Sequence, residues 1–499
     1  MPNTTNVSNT TISLTDGSSL IVTGTNDTVL VNSGWVQLNT PGGTITVNGT
    51  SDTLSVVSNF STAVINGSGN AVSLAGTLDT VTLNGSNETV TIGASAPNAV
   101  VNLNGTGSTV TGGTSAMAAA VVLSGAGNAA TVVGDGYWVT LAGASETVTL
   151  SGTGDRLILS GNYITLNTSA AISATLSGVS DTVTLGGNGV SVALSGTNDV
   201  ATLTGSGANV SMNGNQNTVS ASGSTIVVSM AANGTATVVG SGDSISVVGN
   251  QNLVTLTGSN ETLTVSGTSD VVTSTGSSDI VTISGTSDAV TLTGDGHQVT
   301  VSGPGNTVTL NGNNESVSIY GNGTRLTLTG SGDSVNVSST SGSTITTASA
   351  TSFTMTGSVS GATINGSGNT VSLTGQQETV TLNGSNETVI AGTGATNAVV
   401  NLNGTGSTVS GLSGTAVVLS GAGNSATVIG NTDFVQLTGN SQSVTLIGSS
   451  DWLTLSGNFI TLSTSGARFV TLAGMNDTVT LSGTGLVTVL SGTSDSATL

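Results

Sequence analysis

Aliphatic and small polar residues alternate with a period of two along most of the chain, in short runs such as Val-Thr-Leu, and glycine interrupts the runs at fixed intervals. Between Gly240 and Gly330 a glycine recurs every nine residues. The third residue after each is usually Asp, Asn or Glu, and the fifth and seventh are aliphatic, giving the unit Gly-x-x-(Asp/Asn)-x-Val-x-Leu-x. Val281 and Ile283, Val290 and Leu292, and Val308 and Leu310 are such pairs. Residues two apart on a strand share a face, so each pair predicts one buried strand face. The residue between them, mostly Thr, faces outward, where a β-branched polar side chain suits a strand. Glycine at the corner (Gly276, Gly285) supplies a positive φ. The acid or amide that follows (Asp279, Asp288, Asn306) closes the turn on nearby backbone N–H groups as a solvated cap.

A nine-residue strand and turn cannot bury its apolar face alone, but stacked units can. The expected fold is all-β: a single elongated parallel β-solenoid of nonapeptide units over residues 1–499, with an irregular N-terminal cap or contact segment at 1–16. A longer period lies on top, because residues 42–203 are repeated as 342–499; Ala-Val-Ile-Asn-Gly-Ser-Gly from Ala63 recurs as Ala-Thr-Ile-Asn-Gly-Ser-Gly from Ala362. Thirty-three units separate Gly67 from Gly366, a number divisible by three and not by two. If both copies keep the same faces, three strands per coil fit better than two. Charge points the same way. Two strands per coil would stack Asp243, Glu261 and Asp279 at about 4.8 Å, where like charges repel by about 1 kcal/mol per pair even in water. Three strands per coil is therefore the expectation, with two as the alternative.

Composition narrows the chemistry. The 499 residues include 73 glycines, one histidine and no cysteine. Lys+Arg total 3 against 24 Asp+Glu, a net charge of −21. Disulfides, thiolate nucleophiles and cysteine-ligated metals are excluded, and one histidine leaves no room for His clusters. Nucleic-acid binding needs cations that this chain lacks. No apolar run is long enough for a membrane helix, so no membrane span is expected. The N-terminus has no basic and apolar signal segment of the Sec type.

Segments such as Gly303-Pro-Gly-Asn-Thr-Val-Thr-Leu-Asn311 and Gly366-Ser-Gly-Asn-Thr-Val-Ser-Leu-Thr374 resemble the RTX (hemolysin-type, glycine-rich nonapeptide) repeats. The resemblance implies a parallel β-roll and export by a type I route. In that family calcium fills the roll, but the family's calcium-binding Asp falls here on Val308 and Val371, and an inward valine is no calcium ligand. The chain reads as a calcium-free, apolar-core variant. Its composition is also similar to that of bacterial surface-layer and adhesin proteins.

Candidate sites are few. The acidic ladder offers weak peripheral cation candidates at Asp270, Asp279 and Asp288, with calcium as the one ion to consider and no cofactor. Asp288, Asp295 and His297 are close in sequence, but His297 occupies an ordinary acid position of the unit, and no catalytic residue is assigned. Thr262-x-Thr264 and Thr307-x-Thr309 fit an ice-binding row; Leu253, Val271, Ile280, Gln298 and Arg325 interrupt it. Trp35, Tyr137, Trp138, Tyr163, Trp452 and Phe459 serve either as outward anchors or as fill under a corner. Trp138 and its second-copy counterpart Phe434 mark a lateral contact. The expected function is a non-enzymatic, extracellular or cell-surface structural protein, self-assembling head to tail into fibres, a surface layer or an adhesive stalk. Its expected partners are other copies and a cell surface or polysaccharide. The alternative is a surface-binding module for ice or carbohydrate.

Overall fold

The computed structural model describes residues 2–112, 119–230, 233–339, 342–348, 350–411, 414–466, 469–482 and 486–498. Arg468 and Leu499 lie outside the described residues. Among the described residues every regular element is a β-strand, most of them four or five residues long. The chain divides into two compact units, Met1–Ile245 and Ser246–Leu499, and each is a parallel β-solenoid.

In the first unit the chain alternates between two parallel sheets. Asn3–Thr5, Ser19–Val22, Trp35–Leu38, Thr53–Val56 and Ala71–Leu74 pair in succession in one. Thr11–Ser13, Asp27–Leu30, Thr44–Asn48, Thr62–Asn66 and Thr80–Leu83 pair in the other. The first sixteen residues, expected to be irregular, already carry two short strands in register. In the second unit Leu253–Thr257, Val271–Thr275, Ala289–Thr293, Thr307–Asn311 and Arg325–Leu328 form one run. Ile280–Ile283, Gln298–Val301, Ser316–Ile319 and Ser334–Val337 form the facing run. Further along, Ser425–Asn431, Ser443–Ser449, Thr461–Thr464, Thr478–Leu481 and Ser496–Thr498 make a separate sheet of five.

Each strand thus pairs with the second strand after it, typically eighteen residues on, as Val271 with Ala289 and Val290 with Val308. The coil holds two strands, and the three-strand expectation is corrected. The premise behind it also fails. Thr80–Leu83 and its copy Thr379–Leu382 are the tenth and forty-third strands among the described residues, so the copy enters half a coil out of step. The offset is harmless because both faces of a coil are built from the same unit. A periodic signal for the two-strand coil is present in the sequence at Asn48, Asn66 and Asn84, eighteen apart. These amides form an outward ladder, Asn66 Nδ2 donating to Asn48 Oδ1 at 2.6 Å and Asn84 Nδ2 to Asn66 Oδ1 at 2.7 Å.

The paired aliphatics fill the space between the sheets as predicted. Val281, Ile283, Val290, Leu292, Val308 and Leu310 are all buried. Val371 is buried too, so the two positions aligned with calcium ligands in RTX repeats belong to the dry core. Complete burial of each such side chain contributes about 1.5–3 kcal/mol, which opposes the cost of ordering the backbone.

The corner differs from expectation. Positive φ belongs chiefly to the residue just before the acid: Ser278 (φ 63°), Ser287 (φ 58°), Gly305 (φ 71°) and Asn314 (φ 61°). The enrichment of Ser, Asn and Gly at that position is the sequence signal for it. Gly285 has no positive φ; it is needed for space. A Cβ there would lie 2.6 Å from the Gly267 carbonyl oxygen and 2.7 Å from Gly267 N, and would overlap Asp288 Oδ2.

Candidate functional site

The fourth position of the unit turns inward beneath the corner. The residues of this rung are buried, Asp270 at 0% and Asp279, Asp288 and Glu315 at 1% exposure, so they are not the solvated caps expected. The rung residue precedes its strand, and its own N–H finds no partner in the strand ladder. The rung side chain of the next coil supplies one. Asn252 N–H donates to Asp270 Oδ1 (2.8 Å), Asp270 N–H to Asp288 Oδ1 (3.0 Å), and Asp288 N–H to Asn306 Oδ1 (2.8 Å). In the first unit Asp181 N–H donates to Asp199 Oδ1 (3.0 Å) and Asp199 N–H to Asn217 Oδ1 (2.9 Å). The cap therefore joins coils rather than closing its own turn.

The other edge of the second unit carries a parallel column. Glu261 N–H donates to Asp279 Oδ1 (3.0 Å), Asp279 N–H to His297 Nδ1 (3.3 Å), His297 N–H to Glu315 Oε2 (2.8 Å), and Glu315 N–H to Asp333 Oδ1 (3.0 Å). His297 acts as an amide-like acceptor. Its Nδ1 is 3.5 Å from Asp279 Oδ2. Burial lowers its pKa despite Asp279 and Asp295 nearby. The three cation candidates are thereby split: Asp270 and Asp288 share one column, and Asp279 stands in the other. Asp288 and His297 are likewise on different columns, while Asp295 is exposed and accepts the Asn313 N–H at 2.8 Å. Among the described residues no three His, Asp or Glu side chains converge as a metal site.

Burial dominates the titration of these acids. It raises Glu88, Glu146, Glu315, Glu378 and Glu387 to about 7, and Asp155, Asp181, Asp288 and Asp433 to about 6. The backbone N–H donors pull in the opposite direction and do not overcome it.

On the outer faces the Thr rows between the aliphatics are continuous: Thr255, Thr273, Thr291, Thr309 and Thr327 stack on one side. The neighbouring row is mixed, with Leu253 and Val271 exposed in line with Thr307 and Arg325. Trp138 and Phe434 both point outward, at 50% and 43% exposure. The Arg156 guanidinium lies 5.3 Å from the Trp138 ring centre. Phe434 heads a column continued by Trp452 and Phe469, whose rings are 4.4 Å apart. Tyr163 and Phe459 are exposed at corners, whereas Tyr137 is a buried rung whose N–H donates to Asp155 Oδ1 at 2.9 Å.

No family model matches the chain, and neither a curated protein nor a solved structure matches it.

Proposed function

We propose that the chain is a non-enzymatic extracellular structural protein whose β-solenoid coils stack end to end into fibres, a surface layer or an adhesive stalk. The observation that carries this reading is the uniform register. Between Val271 and Asn311 successive coils present the same hydrogen-bond ladder, the same aliphatic columns and an acceptor rung to their neighbours. A coil of a second copy can dock on that ladder with the contacts a coil already uses inside the chain. The resemblance to RTX repeats, in a calcium-free form, fits export by a type I-like route.

Electron microscopy and sedimentation of the purified chain test this reading. Filaments or sheets with an axial repeat of about 4.8 Å are expected; a strictly monomeric particle at high concentration overturns it. A second reading, a carbohydrate-binding surface, is favoured by the outward column Phe434, Trp452 and Phe469. It expects a monomer retained on polysaccharide. An ice binder would show thermal hysteresis, and the mixed outer row argues against it.

A further inference from the structure

At several amide and hydroxyl rungs the second polar atom donates to a corner carbonyl. Asn217 Nδ2 donates to the Gly196 carbonyl (3.2 Å), Asn306 Nδ2 to those of Gly285 (3.0 Å) and Gly303 (2.9 Å), and Thr324 Oγ1 to that of Gly321 (3.0 Å). Where the rung is aspartate, Oδ2 stands in the same place. The missing Cβ of Gly214 would sit 2.8 Å from Asn217 Nδ2 and against the Gly196 carbonyl oxygen. That of Gly76 would sit 2.7 Å from Asp79 Oδ2 and against the Ser58 carbonyl oxygen. The same pairing surrounds Asp288 Oδ2 with the Gly267 carbonyl, Asp270 Oδ2 with Gly249, Asp199 Oδ2 with Gly178, and Asp181 Oδ2 with Gly161. All four Oδ2 atoms are buried and accept no hydrogen bond. An ionised carboxylate would hold a bare anionic oxygen against a carbonyl oxygen, which is strongly unfavourable out of water.

We propose that the buried aspartate rungs Asp270, Asp288, Asp181 and Asp199 are proton-binding sites filled in the folded protein, each carrying its proton on Oδ2 and donating it to the corner-glycine carbonyl of the preceding coil. The acid is then the isostere of the asparagine rung, with Oδ1 accepting and Oδ2–H donating. This accounts for the free exchange of Asp and Asn along one column, and it removes the like-charge repulsion that a two-strand coil would otherwise stack. Asp270 is faced by Asn252 and Asp288, Asp288 by Asp270 and Asn306, and Asp199 by Asp181 and Asn217. Asp181 is faced by Asp199 and by Ile164, whose N–H its Oδ1 accepts. Among the described residues no arginine joins these columns: Arg156 lies on Trp138, and Arg325 is exposed. Burial raises all four acids, Asp181 and Asp288 to about 6, in the direction the geometry requires. A metal ion is not the occupant the geometry selects, since an amide N–H fills the same place in the neighbouring rung.

The full chain and the D270N/D288N variant decide it. Carboxyl infrared spectra and Asp 13Cγ shifts of the folded wild type at about pH 5 should show protonated acids, well above the ordinary carboxylate range of about 4. Unfolding there should release protons. The variant should fold, and its stability should fall less steeply than that of wild type between about pH 5 and about pH 8. Wholly ionised aspartates at about pH 5, or a variant with the wild-type pH slope, overturn the proposal. So does stabilisation by calcium that the variant abolishes, which would give Oδ2 to a metal. If the variant does not fold, the wild-type spectra still settle the question.

Discussion

The backbone N–H of Asp270 donates to Oδ1 of Asp288, 3.0 Å away and one coil further along the chain. Two acids one coil apart are thus joined by a hydrogen bond. The requirement at the rung is an acceptor pointing back one coil. Asp, Asn, Glu, Ser and His all meet it, as Ser108 Oγ does for Glu88 N–H and His297 Nδ1 for Asp279 N–H.

The pH dependence follows from the raised acids. Glu88, Glu315 and Glu387 at about 7 and Asp155 and Asp433 at about 6 bind protons more tightly folded than unfolded. Their contribution is complete below the ordinary carboxylate range and is lost as pH rises through about 6 and then about 7. The melting temperature is therefore expected to be higher at about pH 4–5 than at about pH 8. Added salt should recover only the part due to surface repulsion. A melting temperature that climbs steadily from acid to neutral pH contradicts this.

Gly285→Ala is expected to destabilise by about 1–3 kcal/mol or more, since the new Cβ overlaps backbone that cannot yield. Gly127 is the control. Its φ is +72° and nothing lies within 4 Å of its Cβ position, so Gly127→Asn should be tolerated. Chemical denaturation with hydrogen exchange, which resolves local opening in a repeat array, measures both. Equal effects at the two glycines would refute the spatial role given to Gly285.

Ser278→Val should cost about 1–2 kcal/mol because a β-branched residue is forced to a positive φ, whereas Ser278→Gly should cost little. Indistinguishable melts for the two variants would show that this corner does not depend on the left-handed residue.

Ile283→Ala should cost about 2–5 kcal/mol, and Ile280→Thr, three residues away on the exposed side of the same strand, less than about 0.5 kcal/mol. Hydrogen exchange of the adjoining coils reads the difference. A large loss at Ile280 would mean that the outer face is covered in solution.

The strands, their inward pairs and the parallel stacking were legible because a period of two and a period of nine are written directly into residue type. The inward acids were not. Asp288 and Asn306 look like ordinary turn residues, and only the coil packed behind them reveals that one oxygen serves a neighbour's N–H while the other faces a carbonyl. The role of Gly285 was hidden for the same reason, since its constraint comes from Gly267, eighteen residues away. The half-coil offset of the second copy shows how the thirty-three-unit count misled: it bears on strands per coil only if the faces differ chemically, and here they do not.

By itself, the sequence determined that this protein is a stack of nonapeptide strands with Val, Leu and Ile inside and Thr outside, because side-chain alternation on a strand is a local property. Only the tertiary structure decided how many strands close a coil and whether the acids meet water. Nine residues define one strand and one corner equally well for coils of two or three. Closure depends on the left-handed residue at each corner and on two facing rows of aliphatics filling one gap. Both are set by contacts between residues a full coil apart.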